Sequence, residues 1–548
     1  MACLLLGIVT PHALAQGPEQ SFQWQPYDES EELRLQAEHE LPRMRFKLLN
    51  SKYLDKNLLW SSFTEELSGF DAQQYETLKP LIMDQDIPAL QLAVQEQRLS
   101  YEILVKFYLY RIRLFESDNT RSLNAIIAIN LDVIAEARRK DRARTVEGVA
   151  IDENSLFGIP ILLKDNIGVR GMPTTAGAVV LQQNNTGDAF ITRRLKANGA
   201  IILGKANLSE WAYLFCDGCP LGYSALGGQT LNPYGRKQIE SGGSSSGSAA
   251  AVAANYAAAA VGSETSGSIL SPASLNSLVG LKPTTGMLSR TGVIPISSTL
   301  DTAGPITRNV TDAVILFNAM SGYDRQDLAM PLLSADVELV LRKRPLADMR
   351  LGYFPNLVKD NLYKGAVDTL RKSGAELIEI EMPDVVLENF GEFLKAEMKI
   401  YLADYLTRIA GDDVEVKTVG DVVKFNRMQR ELRMPYGQSH FNVMESANYN
   451  PGQINAMRDQ LRASGTKALS TPLRTQNLDA LLSINNYHAA FAASANYPAL
   501  TVPMGYREDG EPAGITFIGV SFSEQELVDI GLAFENVSAG RSMPADYQ

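Results

Sequence analysis

The most constraining stretch of the chain is a loop of serine and glycine that runs into a series of alanines. Residues 241–248 read Ser-Gly-Gly-Ser-Ser-Ser-Gly-Ser, and residues 249–254 read Ala-Ala-Ala-Val-Ala-Ala. Such a loop cannot fill a core, but it lets backbone amides approach a ligand closely, because glycine has no Cβ. Alanine is the strongest helix former. The loop is therefore predicted to end at a helix N-terminus, where unpaired N–H groups favour negative charge.

A second serine-rich turn follows within a few residues. Asn255 is placed to cap the alanine helix at its C-terminal end. Residues 257–261 are small and apolar, which predicts a short buried strand. This strand delivers the chain to residues 262–268, which read Gly-Ser-Glu-Thr-Ser-Gly-Ser.

The elements around these turns alternate as in an α/β protein. Residues 159–163 form a continuous apolar run, which predicts a strand buried on both faces, and the strand leads into Lys164-Asp165-Asn166. A lysine at this position either emerges at the surface or is buried with a pairing group or a lowered pKa. The pattern then predicts a helix, a strand and a helix over residues 193–197, 200–204 and 207–213.

The length of 548 residues allows one large domain or two to three smaller ones. We predict a helical extension over residues 16–87 and one large domain over residues 88–541. An insertion over residues 336–477 contains a strand, a helix and a strand at residues 350–353, 364–372 and 376–380, followed by mostly helical sequence.

Composition excludes some classes of partner. The formal net charge is −12 and no basic cluster stands out, so no nucleic-acid partner is expected. No run approaches ~18 uninterrupted apolar residues, so no membrane span is expected. Residues 1–15 are apolar and end in Ala-Leu-Ala, which predicts a signal peptide and a periplasmic or secreted protein. The usual basic start is missing, so a cytoplasmic location stays open.

Cysteine usage is sparse. Beyond the predicted leader, only Cys216 and Cys219 remain, as a C-x-x-C pair. Zinc needs four ligands, so one isolated pair is weak evidence for a metal site. A local disulfide is the favoured interpretation for an exported protein, and two free thiols are the alternative.

Several catalytic motifs can be weighed and set aside. Residues 243–247 match G-x-S-x-G, but that motif follows a strand, and here a turn precedes it. A histidine base would have to be one of four, none within a recognisable motif: His12, His39, His440 and His488. Residues 464–467 match S-x-x-K without its companion motifs. The sequence has neither a phosphate-binding loop nor a histidine cluster, so no cofactor or metal is expected.

A serine nucleophile with a lysine base remains. Burial disfavours the ammonium form, so a buried Lys164 can be neutral at working pH and accept a serine proton. The oxyanion that forms when serine attacks an acyl carbon needs backbone donors, and the turn at residues 265–268 supplies consecutive N–H groups.

These motifs together resemble the amidase signature family. The resemblance spans residues 88–541 and includes Lys164-Asp165-Asn166, the two turns, and the segments 280–284, 294–297, 301–305 and 497–505. It implies a mixed sheet of about eleven strands between helices. It also implies a catalytic set of Ser268 as nucleophile, Ser244 as a bridging serine on a cis peptide, and Lys164 as base. The oxyanion hole it implies is formed by the backbone N–H groups of Thr265, Ser266, Gly267 and Ser268.

Residues 208–212 and 227–234 look closest to bacterial peptide amidases. The implied activity is hydrolysis of small amides or C-terminally amidated peptides through an acyl-enzyme. The alternatives are the glutaminase component of a tRNA-dependent amidotransferase, which works with partner subunits, and a catalytically dead binding protein. Two departures from many relatives, Ser266 before Gly267 and Leu270 in place of arginine, weaken any analogy of substrate more than of mechanism.

Overall fold

The computed structural model describes residues 22–331, 337–538 and 540–548. The predicted signal peptide at residues 1–15 lies outside the described residues. The strands are β1 (Ile126–Ile129), β2 (Pro160–Lys164), β3 (Ile201–Ala206), β4 (Tyr223–Ser224), β5 (Gly228–Gln229), β6 (Ala259–Glu264), β7 (Val279–Lys282), β8 (Thr302–Thr307), β9 (Arg350–Tyr353), β10 (Glu376–Glu379), β11 (Ala480–Ile484), β12 (Ala499–Tyr506) and β13 (Pro512–Ile518).

Helices cover the sheet. They are α1 (Ser30–Gln36), α2 (Ala72–Ile82), α3 (Ile87–Gln95), α4 (Tyr101–Glu116), α5 (Val133–Thr145), α6 (Phe190–Ala197), α7 (Ser246–Ala253), α8 (Leu270–Leu275), α9 (Val310–Met320), α10 (Asn361–Lys372), α11 (Phe390–Arg408), α12 (Val419–Arg427), α13 (Arg430–Arg433), α14 (Ser439–Ser446), α15 (Pro451–Thr475), α16 (Ala489–Ala495) and α17 (Glu524–Val537). Within the described residues, none of these helices is both long and apolar enough to span a membrane.

One large mixed sheet organises the described residues. Its eleven strands run in the order β1-β3-β2-β6-β8-β7-β12-β13-β11-β9-β10, and β4 and β5 form a separate hairpin. β2 is parallel to both β3 and β6, whereas β8, β7, β12 and β13 pair antiparallel. The predicted fold, an α/β protein with about eleven strands, is confirmed.

The centre of the sheet places polar groups deep in the protein. Every residue of β2 and β6 is buried, as the apolar run before Lys164 predicted. Since the two strands are parallel, with Leu163 opposite Val261, their carboxyl ends meet at the same edge. Lys164 and Glu264, the last residues of β2 and β6, therefore lie at one end of the sheet.

The strand–helix–strand pattern in the predicted insertion is confirmed. β9 and β10 are parallel, with α10 between them in the chain, and β9 also pairs with β11. This unit extends the edge of the main sheet. The domain boundaries predicted at residues 87/88, 336 and 477 stay predictions.

The predicted helix over residues 207–213 is wrong. Only a short 3₁₀ turn forms, Glu210–Tyr213, in which Trp211 and Ala212 have positive φ. The physical reason is competition from side chains, because the Asn207 side-chain oxygen accepts the backbone N–H of Leu208 at 2.9 Å. Asparagine and serine favour such local bonds over helix.

Candidate active site

Lys164 is fully buried at the end of β2. Its Nζ donates to Ser244 Oγ at 2.8 Å, to the Ser263 carbonyl at 2.9 Å and to Ser263 Oγ at 3.0 Å. Ser263 Oγ also accepts the side-chain N–H of Asn166 at 2.9 Å. Three serine oxygens therefore fix the amine, and one of them belongs to the serine-glycine loop.

The environment of Lys164 lowers the proton affinity of its amine. Burial lowers the pKa of Lys164 to about 7, although the nearby carboxylates of Asp301 and Glu264 act in the opposite direction. Desolvation disfavours the charged ammonium, and this effect is the larger one here. A large fraction of Lys164 is therefore neutral near neutral pH, as a general base requires.

Ser244 lies just before the first turn of α7. Its side chain is completely buried and the Gly243–Ser244 peptide bond is cis, the arrangement that the family resemblance implied. The Ser244 carbonyl accepts the backbone N–H of Ser209 at 3.0 Å. The neighbouring loop therefore helps to hold Ser244 in place.

Ser268 lies beside this loop. Its carbonyl accepts the backbone N–H of Ser245 at 3.2 Å, which joins the two serine-rich turns. The Ser268 side chain is half-buried, and within the described residues its hydroxyl makes no hydrogen bond. The structure thus brings Lys164 and Ser244 into direct contact and places the Ser268 backbone next to them, without joining the two serine hydroxyls.

The turn at residues 265–268 presents free backbone amides. None of its four N–H groups donates a hydrogen bond within the described part of the chain. Two carboxylates hold the turn from its two ends, Glu264 being buried and Asp301 half-buried. Glu264 Oε2 accepts the N–H groups of Ile269 at 2.7 Å and Leu270 at 3.0 Å. Asp301 Oδ1 accepts the Thr265 hydroxyl at 2.5 Å.

A cleft of ≈ 330 Å³ borders this turn at Thr265, and its lining does not include Ser268. Its walls include Asn166, Ser263, Thr265, Ile294, Asp301 and Tyr405. The volume lies in the range of small-ligand sites. Asn166 Oδ1 is buried without a hydrogen-bond partner, which leaves one acceptor free in the wall.

Charged groups in the cleft wall are largely paired. Arg290 forms an ion pair with Asp327 at 2.6 Å, and Arg408 forms one with Asp404 at 2.8 Å.

Burial raises the pKa of Asp301 to about 6, although hydrogen bonds from Thr265 and from two backbone N–H groups act to lower it.

His488 makes no hydrogen bond to either serine-rich turn within the described residues. His488 Nδ1 lies 2.7 Å from Ser483 Oγ, and burial lowers the pKa of His488 to about 4. Ser483 is buried in β11. Cys216 and Cys219, for which disulfide and free thiols were both open, form a disulfide.

Sequence reasoning missed the roles of Ser263 and Asp301. Ser263 lies within the second turn motif, and its contact with Lys164 follows from the parallel register of β2 and β6. Asp301 lies 36 residues after Thr265, and no local pattern indicates that the two side chains meet.

Comparison with known proteins agrees with this geometry. The family model described as Amidase matches residues 104–528. The chain belongs to the amidase family. An Arabidopsis thaliana protein named "Probable amidase" is 36% identical over 479 residues, which cover 84% of this chain and 92% of the relative. A glutamyl-tRNA(Gln) amidotransferase component from Thermoanaerobacter pseudethanolicus is 28% identical over 482 residues, covering 82% of this chain and 96% of the relative.

Solved structures of amidases have the same fold. An amidase family protein from Bacillus anthracis is 35% identical with a TM-score of 0.85, and the match covers 90% of this chain and 99% of that one. Native peptide amidase from Stenotrophomonas maltophilia is 35% identical with a TM-score of 0.78, covering 84% of this chain and 98% of that one. This amidase is therefore an enzyme that hydrolyses amides.

Proposed function

We propose that this amidase hydrolyses small amides or C-terminally amidated peptides through an acyl-enzyme on Ser268, with Ser244 as the proton bridge and Lys164 as the base. The observation that carries the proposal is the 2.8 Å hydrogen bond between the Lys164 amine and Ser244 Oγ at a fully buried lysine. A serine hydroxyl is a weak nucleophile until a nearby base accepts its proton.

The first half of the reaction forms the acyl-enzyme. Neutral Lys164 takes the Ser244 proton while Ser244 takes the proton of Ser268, and Ser268 Oγ attacks the amide carbon. The electron pair of the carbonyl moves to its oxygen, which the free N–H groups of residues 265–268 stabilise. The proton then returns from Lys164 through Ser244 to the leaving nitrogen, and the C–N bond breaks as ammonia or an amine departs.

The second half releases the acid. Water gives a proton to the same relay as it attacks the acyl carbon, and the Ser268 ester bond breaks as Oγ takes its proton back. Because the hydroxyl of Ser268 makes no hydrogen bond to any of the described residues, its contact with Ser244 would form when substrate binds. Catalytic hydrogen bonds are often long before substrate is present.

The cleft favours this substrate class over glutamine. A glutaminase holds the α-carboxylate of its substrate, which calls for an unpaired cation. In the described wall of the cleft, Arg290 and Arg408 are both paired with aspartates. Purified protein alone should therefore release ammonia faster from neutral amides and amidated peptides than from glutamine, and the reverse preference would favour the amidotransferase alternative.

The catalytic assignment is tested by Ser268→Ala. The variant loses the nucleophile, so hydrolysis should fall by about three to six orders of magnitude while the thermal midpoint stays unchanged. A fluorophosphonate should label the wild type on Ser268 and leave the variant unlabelled. As a control, Ser266→Ala keeps the backbone N–H and should still be labelled. Turnover by Ser268→Ala at the wild-type rate would rule out the assignment.

We also propose export through the segment at residues 1–15. Its support is the apolar run that ends in Ala-Leu-Ala. Mass spectrometry of the mature protein from a native host would find an N-terminus near Gln16 if a signal peptidase cleaves there. An intact N-terminus in the cytoplasmic fraction would contradict export.

A further inference from the structure

A small cavity lies next to Ser209, outside the cleft described above. Its volume is ≈ 10 Å³, about that of one water-sized sphere. Aromatic rings dominate the wall, together with one thioether and one carboxyl group: Glu210, Tyr213, Phe215, Tyr223, Met434 and Tyr436.

The carboxyl group in this wall has no cationic partner. Glu210 is only 4% exposed, and its Oε2 accepts the backbone N–H of Ala225 at 2.8 Å. Its Oε1 makes no hydrogen bond, and Glu210 forms no ion pair within the described residues. Burial raises the pKa of Glu210 to about 8. One acceptor oxygen is therefore unused at an almost fully buried side chain.

The charges around the cavity are negative or already paired. Burial raises the pKa of Tyr223, and the carboxylates of Glu210 and Glu29 add to the effect. Two cations near these rings have other partners, and Lys47 Nζ also lies 5.4 Å from the centroid of the Tyr436 ring. Lys47 Nζ donates to the Pro435 carbonyl at 2.9 Å, and Arg43 pairs with Glu240 at 2.9 Å. The cavity therefore offers a cation one carboxyl oxygen without a protein partner, together with several aromatic faces, which attract cations.

We propose that this cavity binds a small monovalent cation of the size of ammonium or potassium, held by Glu210 Oε1 and the surrounding rings. The cation pairs with the buried carboxylate, and the volume excludes alkylated ammonium ions. The site shares a wall with the catalytic loop, because the N–H of Ser209 donates to the Ser244 carbonyl at 3.0 Å. If the proposed hydrolysis of primary amides is right, its own product is a ligand for this site.

The test uses unfolding, so it does not depend on activity. Ammonium chloride should raise the thermal midpoint of the wild type above that in sodium chloride of equal ionic strength, because a ligand of the native state stabilises it. Glu210→Gln keeps the shape of the neutral acid and an oxygen that accepts from Ala225. It should keep the midpoint in sodium chloride and lose the response to ammonium.

A matched control is Glu524→Gln. Glu524 is also a buried carboxyl group that accepts a backbone N–H, that of Thr284 at 2.7 Å, but it does not line the cavity. This variant should respond to ammonium as the wild type does. A response to potassium as well would indicate recognition by size and charge, and a response to ammonium alone would indicate added hydrogen bonding; both support the site.

The wild type alone can overturn the proposal. Since the cation displaces a proton from Glu210, the stabilisation should be larger at pH 8 than at pH 6. Equal stabilisation by tetramethylammonium, a response that does not change with pH, or no response to any small cation would each exclude the site. So would an undiminished response in Glu210→Gln. None of these outcomes bears on the catalytic assignment of Ser268.

Discussion

Asp301 accepts hydrogen bonds from two separate parts of the candidate active site. Its Oδ1 accepts the hydroxyl of Thr265 at 2.5 Å, and its Oδ2 accepts the N–H groups of Ile296 at 2.8 Å and Ser297 at 2.9 Å. Thr265 begins the amide-bearing turn, and the other two residues belong to the cleft wall. The charge of Asp301 also raises the pKa of Lys164 against the effect of burial. Asp301 is therefore a positioning residue that also raises the pKa of Lys164.

Asp301→Asn should change the pH profile of hydrolysis. The proposed mechanism needs neutral Lys164, so kcat/KM should rise with pH along an acidic limb whose midpoint lies near the lysine pKa of about 7. Removing the negative charge makes the ammonium less stable, which lowers that pKa and moves the limb to lower pH. We also expect kcat to fall about tenfold, because the amide-bearing turn loses its anchor. The measurement is kcat/KM between pH 5 and 9.

Thr265→Val separates the two roles. This variant removes the hydroxyl that Asp301 accepts and keeps the carboxylate charge near Lys164. We expect a lower kcat with the limb near its wild-type position, because the field at the lysine is retained. A limb that does not move in Asp301→Asn would show that Asp301 acts only as an anchor.

At the scale of elements, small residues bring α7 against β6. Every residue of both elements is buried, and most are alanine, glycine or serine. The side chain of Ser245, just before α7, bonds the Ser263 carbonyl at 3.1 Å and the Ser263 N–H at 3.3 Å. This close packing fixes the distance between the loop that carries Ser244 and the strand that precedes Ser268.

Gly262→Ala should disturb this packing. An added Cβ would lie 2.8 Å from Ser245 Oγ and 2.9 Å from Ile306 Cδ1, closer than atoms can approach. We expect about 1–3 kcal/mol of lost stability and a fall in kcat of at least tenfold, as the Ser244 loop moves. Gly365→Ala is the control, because an added Cβ there meets open space on an exposed face of α10. It should gain up to about 1 kcal/mol and keep its activity. Unchanged kcat in Gly262→Ala would contradict this link.

The elements that the sequence predicts well are those with a strong local pattern. The apolar run of β2, the alanines of α7 and the parallel unit of β9 and β10 all form as expected. The stretch at residues 207–213 does not, since side chains of Asn207 and Ser209 bind backbone groups and prevent a helix. The hydrophobic pattern of a sequence does not reveal such hydrogen bonds between side chains and the backbone.

At the scale of the whole molecule, long-range contacts limit what can be predicted. The burial of Lys164 follows from its strand, but its contact with Ser263 needs the order of strands in the sheet. The C-terminal residues give another example. Arg111 in α4 donates to the carbonyl of Ala254, at the end of α7, at 2.7 Å, and also to the carbonyl of Tyr547. Arg111 thereby ties the C-terminal end of α7 to Tyr547.

Substitutions of Tyr547 test whether its packing affects catalysis through Arg111 and α7. Its ring is fully buried against Phe115, with centroids 5.0 Å apart, and its hydroxyl donates to the Arg121 carbonyl at 2.6 Å. Tyr547→Ala should lose about 3–5 kcal/mol of stability through the cavity it leaves, and Tyr547→Phe only about 1 kcal/mol through the lost hydrogen bond. Both backbones keep the carbonyl that Arg111 contacts, so kcat/KM should be unchanged well below the unfolding temperature. Calorimetry and kinetics on the same preparations would check this. A fall in kcat/KM in the alanine variant before any unfolding would mean that the packing of the C-terminus reaches Ser244 through α7.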